Sequence, residues 1–358
     1  MLTFFCRTPL RWGRGWVLAL SFGVVACGER PEATAPSPPL ADLLLDPPAC
    51  GTVTTNTNLS GDCMGPLVVG GSGITVNLGG HAVTCGTVPN PPSPFNGIEI
   101  TAQTDVHVTN GEVKNCGTGI AITGGGGHQL SNLNVHNHGF GGGNFGDGIR
   151  LTASSNNDIR NTTSSFNHAL GVRLLGNSDF NKMASLELEQ NDGPQISGGI
   201  LLAFGADNNT VSSSFLLGNG NFGIGIAGSN NTIDLSTEVR QSNKGATPIA
   251  GTFGGSPMPG IEVFSSTSTG TTIRATTLVQ NLVGVFLGSA TNTTIQSSEA
   301  SNNVLQGIRL TFGARSNLVQ SNKAFGNGTF DLEDDNPACD ANTWKSNKFG
   351  TANQSCIN

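Results

Sequence analysis

The chain has 358 residues, 17 Lys+Arg against 24 Asp+Glu for a net charge of −7, and only 11% of its residues are charged. Its 36% hydrophobic content excludes a chain disordered throughout, and an acidic balance without a Lys/Arg run excludes the basic face that nucleic-acid binders need. With 51 glycines, 17 prolines and much Asn, Ser and Thr, it suits few helical folds.

In chain order the first element is an address. Arg7, Arg11 and Arg14 precede an apolar run from Trp16 to Ala26, too short to span a bilayer and patterned as a signal peptide over 1–26. Its end, Val24-Val25-Ala26-Cys27, resembles the bacterial lipobox, which implies lipidation of Cys27. Residues 27–48, with Pro31, Pro36, Pro38, Pro39, Pro47 and Pro48, read as a solvated tether. The expectation is an exported, membrane-anchored lipoprotein on the periplasmic or cell-surface side, touching the membrane through its lipid alone. The domain 49–358 holds Cys50, Cys63, Cys85, Cys116, Cys339 and Cys356. In an exported chain these suggest three disulfides, with all connectivities open. Local pairing of Cys50 with Cys63 and of Cys339 with Cys356 would staple the two ends and leave Cys85 and Cys116.

A Gly-aliphatic-x-aliphatic tetrad then recurs, at Gly97, Gly119, Gly148, Gly171, Gly199, Gly223, Gly260, Gly284 and Gly307. Ile74–Leu78 reads as an earlier copy and Thr329-Phe330-Asp331-Leu332 as a later one. The spacing is 22 to 24 residues, lengthened to 29, 28 and 37 at three places, which is the period of a solenoid. Asn115, Asn137, Asn167, Asn191, Asn219, Asn243, Asn281, Asn303 and Asn327 each precede a tetrad, and amides so stacked can hydrogen-bond along their column. These features predict an all-β chain: a right-handed parallel β-helix of about ten to twelve three-stranded coils, its ends stapled by disulfides. The second and fourth tetrad residues point inward and the third outward.

On the tetrads, the strand Ile74–His81 and the C-terminal Cys339, Asn342, Trp344, Asn347, Phe349 and Cys356, the chain resembles the pectate-lyase-like β-helix superfamily, within its carbohydrate-binding and sugar-hydrolysis repeat group. The likeness covers roughly Cys50 to Asn358. It implies a scaffold for polysaccharide chemistry without naming a substrate.

The outward column reads Glu99, Ala121, Arg150, Arg173, Leu201, Gly225, Glu262, Phe286 and Arg309, with Asp331 as tenth. Insertions at 139–147, 193–198 and 245–259 fall on one side of it, where loops on a rigid scaffold carry function. His138, His168 and Asp192 follow ladder asparagines on successive coils. Stacked Arg150 and Arg173 are unfavourable unless an anion lies between them: Asp147, Asp192 or a uronate carboxylate. Arg150, Arg173 and His138 are therefore the candidate catalytic residues, since the resemblance implies an Arg or His removing the proton α to a uronate carboxyl. His168, Asp192, Asp147, Phe145 and Glu262 are candidate substrate contacts. The partner expected is an acidic polysaccharide or cell-surface glycan, bound and, on the resemblance, cleaved or epimerised. A non-catalytic structural or adhesive solenoid is the alternative. With no Tyr and Trp344 the one Trp after the leader, a glycosidase cleft ranks below a lyase or epimerase. No cofactor is expected. Calcium is conceivable at Asp331, Glu333, Asp334, Asp335 and Asp340, but that cluster reads instead as a solvated cap.

Overall fold

The computed structural model describes residues 47–86, 95–139, 146–194, 196–242 and 259–358. Their 31 strands join in one parallel sheet that winds from coil to coil, and the 3-10 turn Pro337–Cys339 is the one helical element among the described residues. Eleven successive pairings, from Ala49–Val53 to Phe330–Asp334, join twelve strands into the tetrad flank. The chain is a parallel β-helix of the expected number of coils.

The tetrad aliphatics do what alternation requires of them. Ile98, Ile120, Ile149, Val172, Ile200, Ile224, Ile261, Val285 and Ile308 are wholly buried in one continuous core, each stabilising the fold by about 1.5–3 kcal/mol. The tetrad glycine has a steric cause. A Cβ on Gly171 would stand 2.8 Å from the Gly199 carbonyl oxygen and 2.9 Å from Asn191 Nδ2; on Gly284 it would stand 2.4 Å from the Gly307 carbonyl. The ladder amide of the next coil fills the space a side chain would need.

That ladder is explicit. Asn167 Nδ2 donates to Asn191 Oδ1 at 2.8 Å and Asn191 Nδ2 to Asn219 Oδ1 at 2.9 Å. Each Oδ1 also accepts the backbone N–H of the preceding ladder residue, at 3.2 and 3.1 Å. A buried donor that no strand pairing reaches is thereby satisfied. The ladder resumes through Ser242, Asn281, Asn303 and Asn327 and ends on Asp331 Oδ1, which accepts from Asn327 N and Nδ2. A second ladder runs through Asn157, Asn181, Asn209 and Asn231.

The register corrects several expectations. Ile74–Leu78 is no tetrad: Val76 pairs with Val108 on another flank, and Leu67 is the residue that pairs with Ile98. The last tetrad is shifted by two, since Leu332 pairs with Ile308 and Glu333 with Arg309. Glu333, not Asp331, is thus the tenth outward residue. Ser242 holds the ladder place read for Asn243, which lies outside the described residues. The acidic cluster is not a wholly solvated cap either. Asp331 is buried at the ladder's end, and buried Asp334 accepts from Trp344 Nε1 at 2.9 Å and Asn336 Nδ2 at 2.8 Å.

All three disulfides form. Cys50–Cys63 and Cys339–Cys356 staple the two ends, while Cys85–Cys116 ties successive coils together. Cys27, the leader and most of the tether lie outside the described residues.

Removing one ladder amide should show what the stacking is worth. Asn191→Ala strands the Asn167 donors and the Ser164 carbonyl to which Asn191 Nδ2 donates at 2.9 Å. Urea unfolding of this variant is expected to show a loss of about 2–4 kcal/mol; a loss below about 0.5 kcal/mol, the level of a neutral surface change, would contradict the ladder's role.

Candidate functional site

Outward side chains on the tetrad flank stand in two neighbouring columns. One is the third tetrad residue, and strand pairing puts Glu99 through Arg309 in the expected order. The other is the residue before the tetrad glycine, as Asn96 Nδ2 donating to Glu99 Oε1 at 2.9 Å shows. This second column includes Asp147, Leu170, Phe222 and Pro259. No residue type recurs regularly along it, so no repeat marks it in the sequence.

Asp147 lies in that column, wholly buried, two residues before the strand Ile149–Thr152 that carries Arg150. Arg150 pairs in register with Arg173, and Arg173 Nη2 lies 3.1 Å from Asp147 Oδ1. Burial pushes the Asp147 carboxyl up, and the Arg173 and Arg150 guanidiniums pull against that shift. Arg173 Nε is buried without a hydrogen-bond partner. Arg150 makes no hydrogen bond or ion pair among the described residues. The two arginines stand on strands one coil apart, ~4.8 Å, and guanidiniums held at that spacing repel. One buried carboxylate offsets one of the two charges.

The column's other arginine is already satisfied. Arg309 Nη2 and Nε donate to Asp335 Oδ2 at 2.9 and 3.2 Å. Burial and the neighbouring Asp335 push the Glu333 carboxyl up against the pull of Arg309. Of the column's three arginines, Arg150 and Arg173 are thus the two that share a single carboxylate.

His168 and Asp192 stand at the rim one coil apart. Their backbone N–H groups bond the carbonyls of His138 and Asn167, one coil earlier, and Ser197 Oγ donates to Asp192 Oδ1 at 3.4 Å. Glu262 lies elsewhere, three coils from Arg173, buried between Gly225 and Phe286 in the column. Phe145 lies outside the described residues. Among them, no group of three or more His, Cys, Asp or Glu side chains is placed to hold a metal ion.

His138 is a correction. It occupies the ladder place read for Asn137: its own N–H donates to Asn167 Oδ1 at 3.3 Å, while its Nδ1 accepts the Cys116 N–H at 3.1 Å. Nε2 faces the Val113 carbonyl at 3.1 Å and donates to it. Both ring nitrogens are committed inside the wall, and burial, helped by His136, pushes the pKa down to about 3. It cannot serve as a groove-side base. His128 holds the matching place in the second ladder, its Nδ1 accepting the Val106 N–H at 3.2 Å and its N–H donating to Asn157 Oδ1 at 2.9 Å.

The family model described as "Right handed beta helix region" matches residues 96–254. The fold is a right-handed parallel β-helix. Among solved structures, the Dettilon tailspike protein (gp208) aligns over 84% of this chain and 60% of its own, at 14% identity and a TM-score of 0.52. The GH136 lacto-N-biosidase from Eubacterium ramulus aligns over 87% of this chain and 63% of its own, at 11% identity and a TM-score of 0.51. The chain thus spans less than two thirds of either, and likeness at this identity concerns the fold alone. No curated protein matches the sequence.

The buried histidine has a pH signature. In the unfolded chain His138 takes a proton near its ordinary value of 6.5, and in the fold only near about 3. Between those values the unfolded state binds the extra proton, so stability falls with falling pH by about 1.4 kcal/mol per unit. His138→Asn, which restores the ladder's usual residue, is expected to flatten the dependence of Tm on pH between about 6 and 4. An unchanged slope would place the histidine outside the ladder.

Proposed function

We propose that the protein is exported, held to a membrane by a lipid on Cys27, and binds an acidic polysaccharide along its tetrad flank. The observation that carries the binding is the stacking of Arg150 and Arg173 over a single buried carboxylate. A ligand carboxylate between them removes the remaining repulsion and gains charge-assisted hydrogen bonds, which the forked guanidinium geometry favours. His168 and Asp192 supply the polar rim. Three disulfides support passage through an oxidising compartment, as do the signal-like segment and tether. That a lacto-N-biosidase shares the fold is in keeping with a carbohydrate ligand, and adds no substrate here. Withdrawal of His138 from the groove removes one of the three candidate catalytic groups and favours binding over β-elimination or epimerisation.

The test is calorimetry with polygalacturonate and alginate, and a neutral glucan as control. Arg150→Ala is expected to weaken uronate binding about tenfold or more, equivalent to about 1.4 kcal/mol. Equal binding of uronate and neutral polymers, or an unaffected Arg150→Ala, would overturn the proposal. A rise in ultraviolet absorbance from unsaturated products would make the site a lyase.

Asp147 predicts the pH dependence. Because its carboxyl is shifted up, acidification neutralises it first and frees Arg173 for the ligand. Uronate affinity is expected to rise as pH falls, until the ligand's own carboxylates protonate. Asp147→Asn should bind more tightly at neutral pH and lose that rise; weaker binding by a folded Asp147→Asn would contradict this role.

A further inference from the structure

Beyond Arg173 the outward column turns apolar. Leu201 pairs with Arg173 in register and, with Leu170 and Phe222, forms a second hydrophobic cluster separate from the solenoid's core, against which Ile196, Ala203 and Phe264 are half-buried. The fold makes room for it with glycines. A Cβ on Gly198 would stand 2.7 Å from ring carbons of Phe222, and one on Gly225 3.0 Å from them. Phe264 rests on this cluster, and Phe204 meets Phe264 edge to face, ring centroids 6.4 Å apart at 87°. Phe204 is 57% exposed. A buried apolar base that begins at Leu170, on Arg173's own strand, therefore carries an exposed aromatic ring on the next coil.

We infer that this shelf is a second subsite, holding the apolar C–H face of an uncharged sugar unit, such as a 6-deoxyhexose, next to the uronate bound by Arg150 and Arg173. The inference rests on the uronate-binding reading and narrows its substrate class to a polymer in which uronates alternate with uncharged units. Two features select that occupant. A pyranose has polar edges and an apolar face that stacks on aromatic side chains, and the shelf continues the arginine floor coil by coil, each step ~4.8 Å. Past Arg173 the column's Leu201 and Gly225 are buried and uncharged, and its next cation, Arg309, is engaged by Asp335. A homopolymeric uronate would bring a further carboxylate against the exposed Phe204 ring without a countercharge, and desolvating it there is costly.

The experiment compares a polymer alternating galacturonate and rhamnose with homogalacturonan, as affinity per carboxylate, on the full-length protein. The wild type is expected to prefer the alternating polymer about threefold to tenfold. Phe204→Ala should bring that ratio toward one and Phe204→Trp restore or raise it. Phe325→Ala, an exposed phenylalanine in the C-terminal coils, should keep the wild-type ratio. Arg150→Ala should weaken both polymers. Preference for homogalacturonan, or a ratio that Phe204→Ala leaves intact, overturns the shelf while the uronate site stands. Failure of the wild type to bind either polymer overturns both.

Discussion

A buried amide that must find its partner on the next coil governs most of this molecule. The Asn191 side chain accepts two hydrogen bonds from Asn167 and donates one each to Ser164 and Asn219. It can do so only if successive coils stay in one register. The same side chain occupies the space a Cβ on Gly171 would need, so the glycine column and the asparagine column are two sides of one packing constraint. Locked stacking then decides which residues face the core and which face solvent. Unsatisfied polar groups inside a wall are expensive, which explains why the ladders end on further polar groups: on buried Asp331 at the C-terminal end and on the ring nitrogens of His138 and His128 at the other.

With the interior settled, the tetrad flank presents two outward columns. Charge is sparse there and nearly self-compensating. Arg309 is held by Asp335, and Arg173 by Asp147. Arg150 is left with only a share in Asp147. This imbalance arises because two arginines 23 residues apart, harmless along an extended chain, become an Arg-on-Arg stack when a solenoid of that period folds them. A polymer running along the axis meets equivalent positions coil after coil, so a parallel β-helix converts sequence period into a linear array of subsites.

Much of this was legible in the sequence. Nine tetrads predicted the inward and outward residues because alternation in a strand allows no other arrangement once one aliphatic pair is inside. Cysteine placement made local pairing of Cys50 with Cys63 and of Cys339 with Cys356 reasonable before any coordinates. The failures have a common cause. His138, Asn243 and Asp331 were each placed by residue type, whereas the ladder selects whatever polar group stands at the turn. There a histidine nitrogen or a serine can replace an amide, and a carboxylate can end the row. Asp147 was legible from register as an anion for the stacked arginines, and it stands 3.1 Å from Arg173. Phe222 and Phe264 were hidden differently. Phe222 lies before its tetrad glycine, Phe264 lies just past its tetrad, and their partners are on other coils. Only stacking brings Phe222 to Leu201.

The central claim is that an acidic glycan lies along the tetrad flank with its carboxylate at the stacked arginines. A crystal structure of the protein with a galacturonate oligosaccharide bound tests it most directly. The account predicts a carboxylate bridging the guanidiniums of Arg150 and Arg173, with the chain axis along the solenoid. An oligosaccharide seated on another flank, with Arg150 and Arg173 untouched, would contradict it.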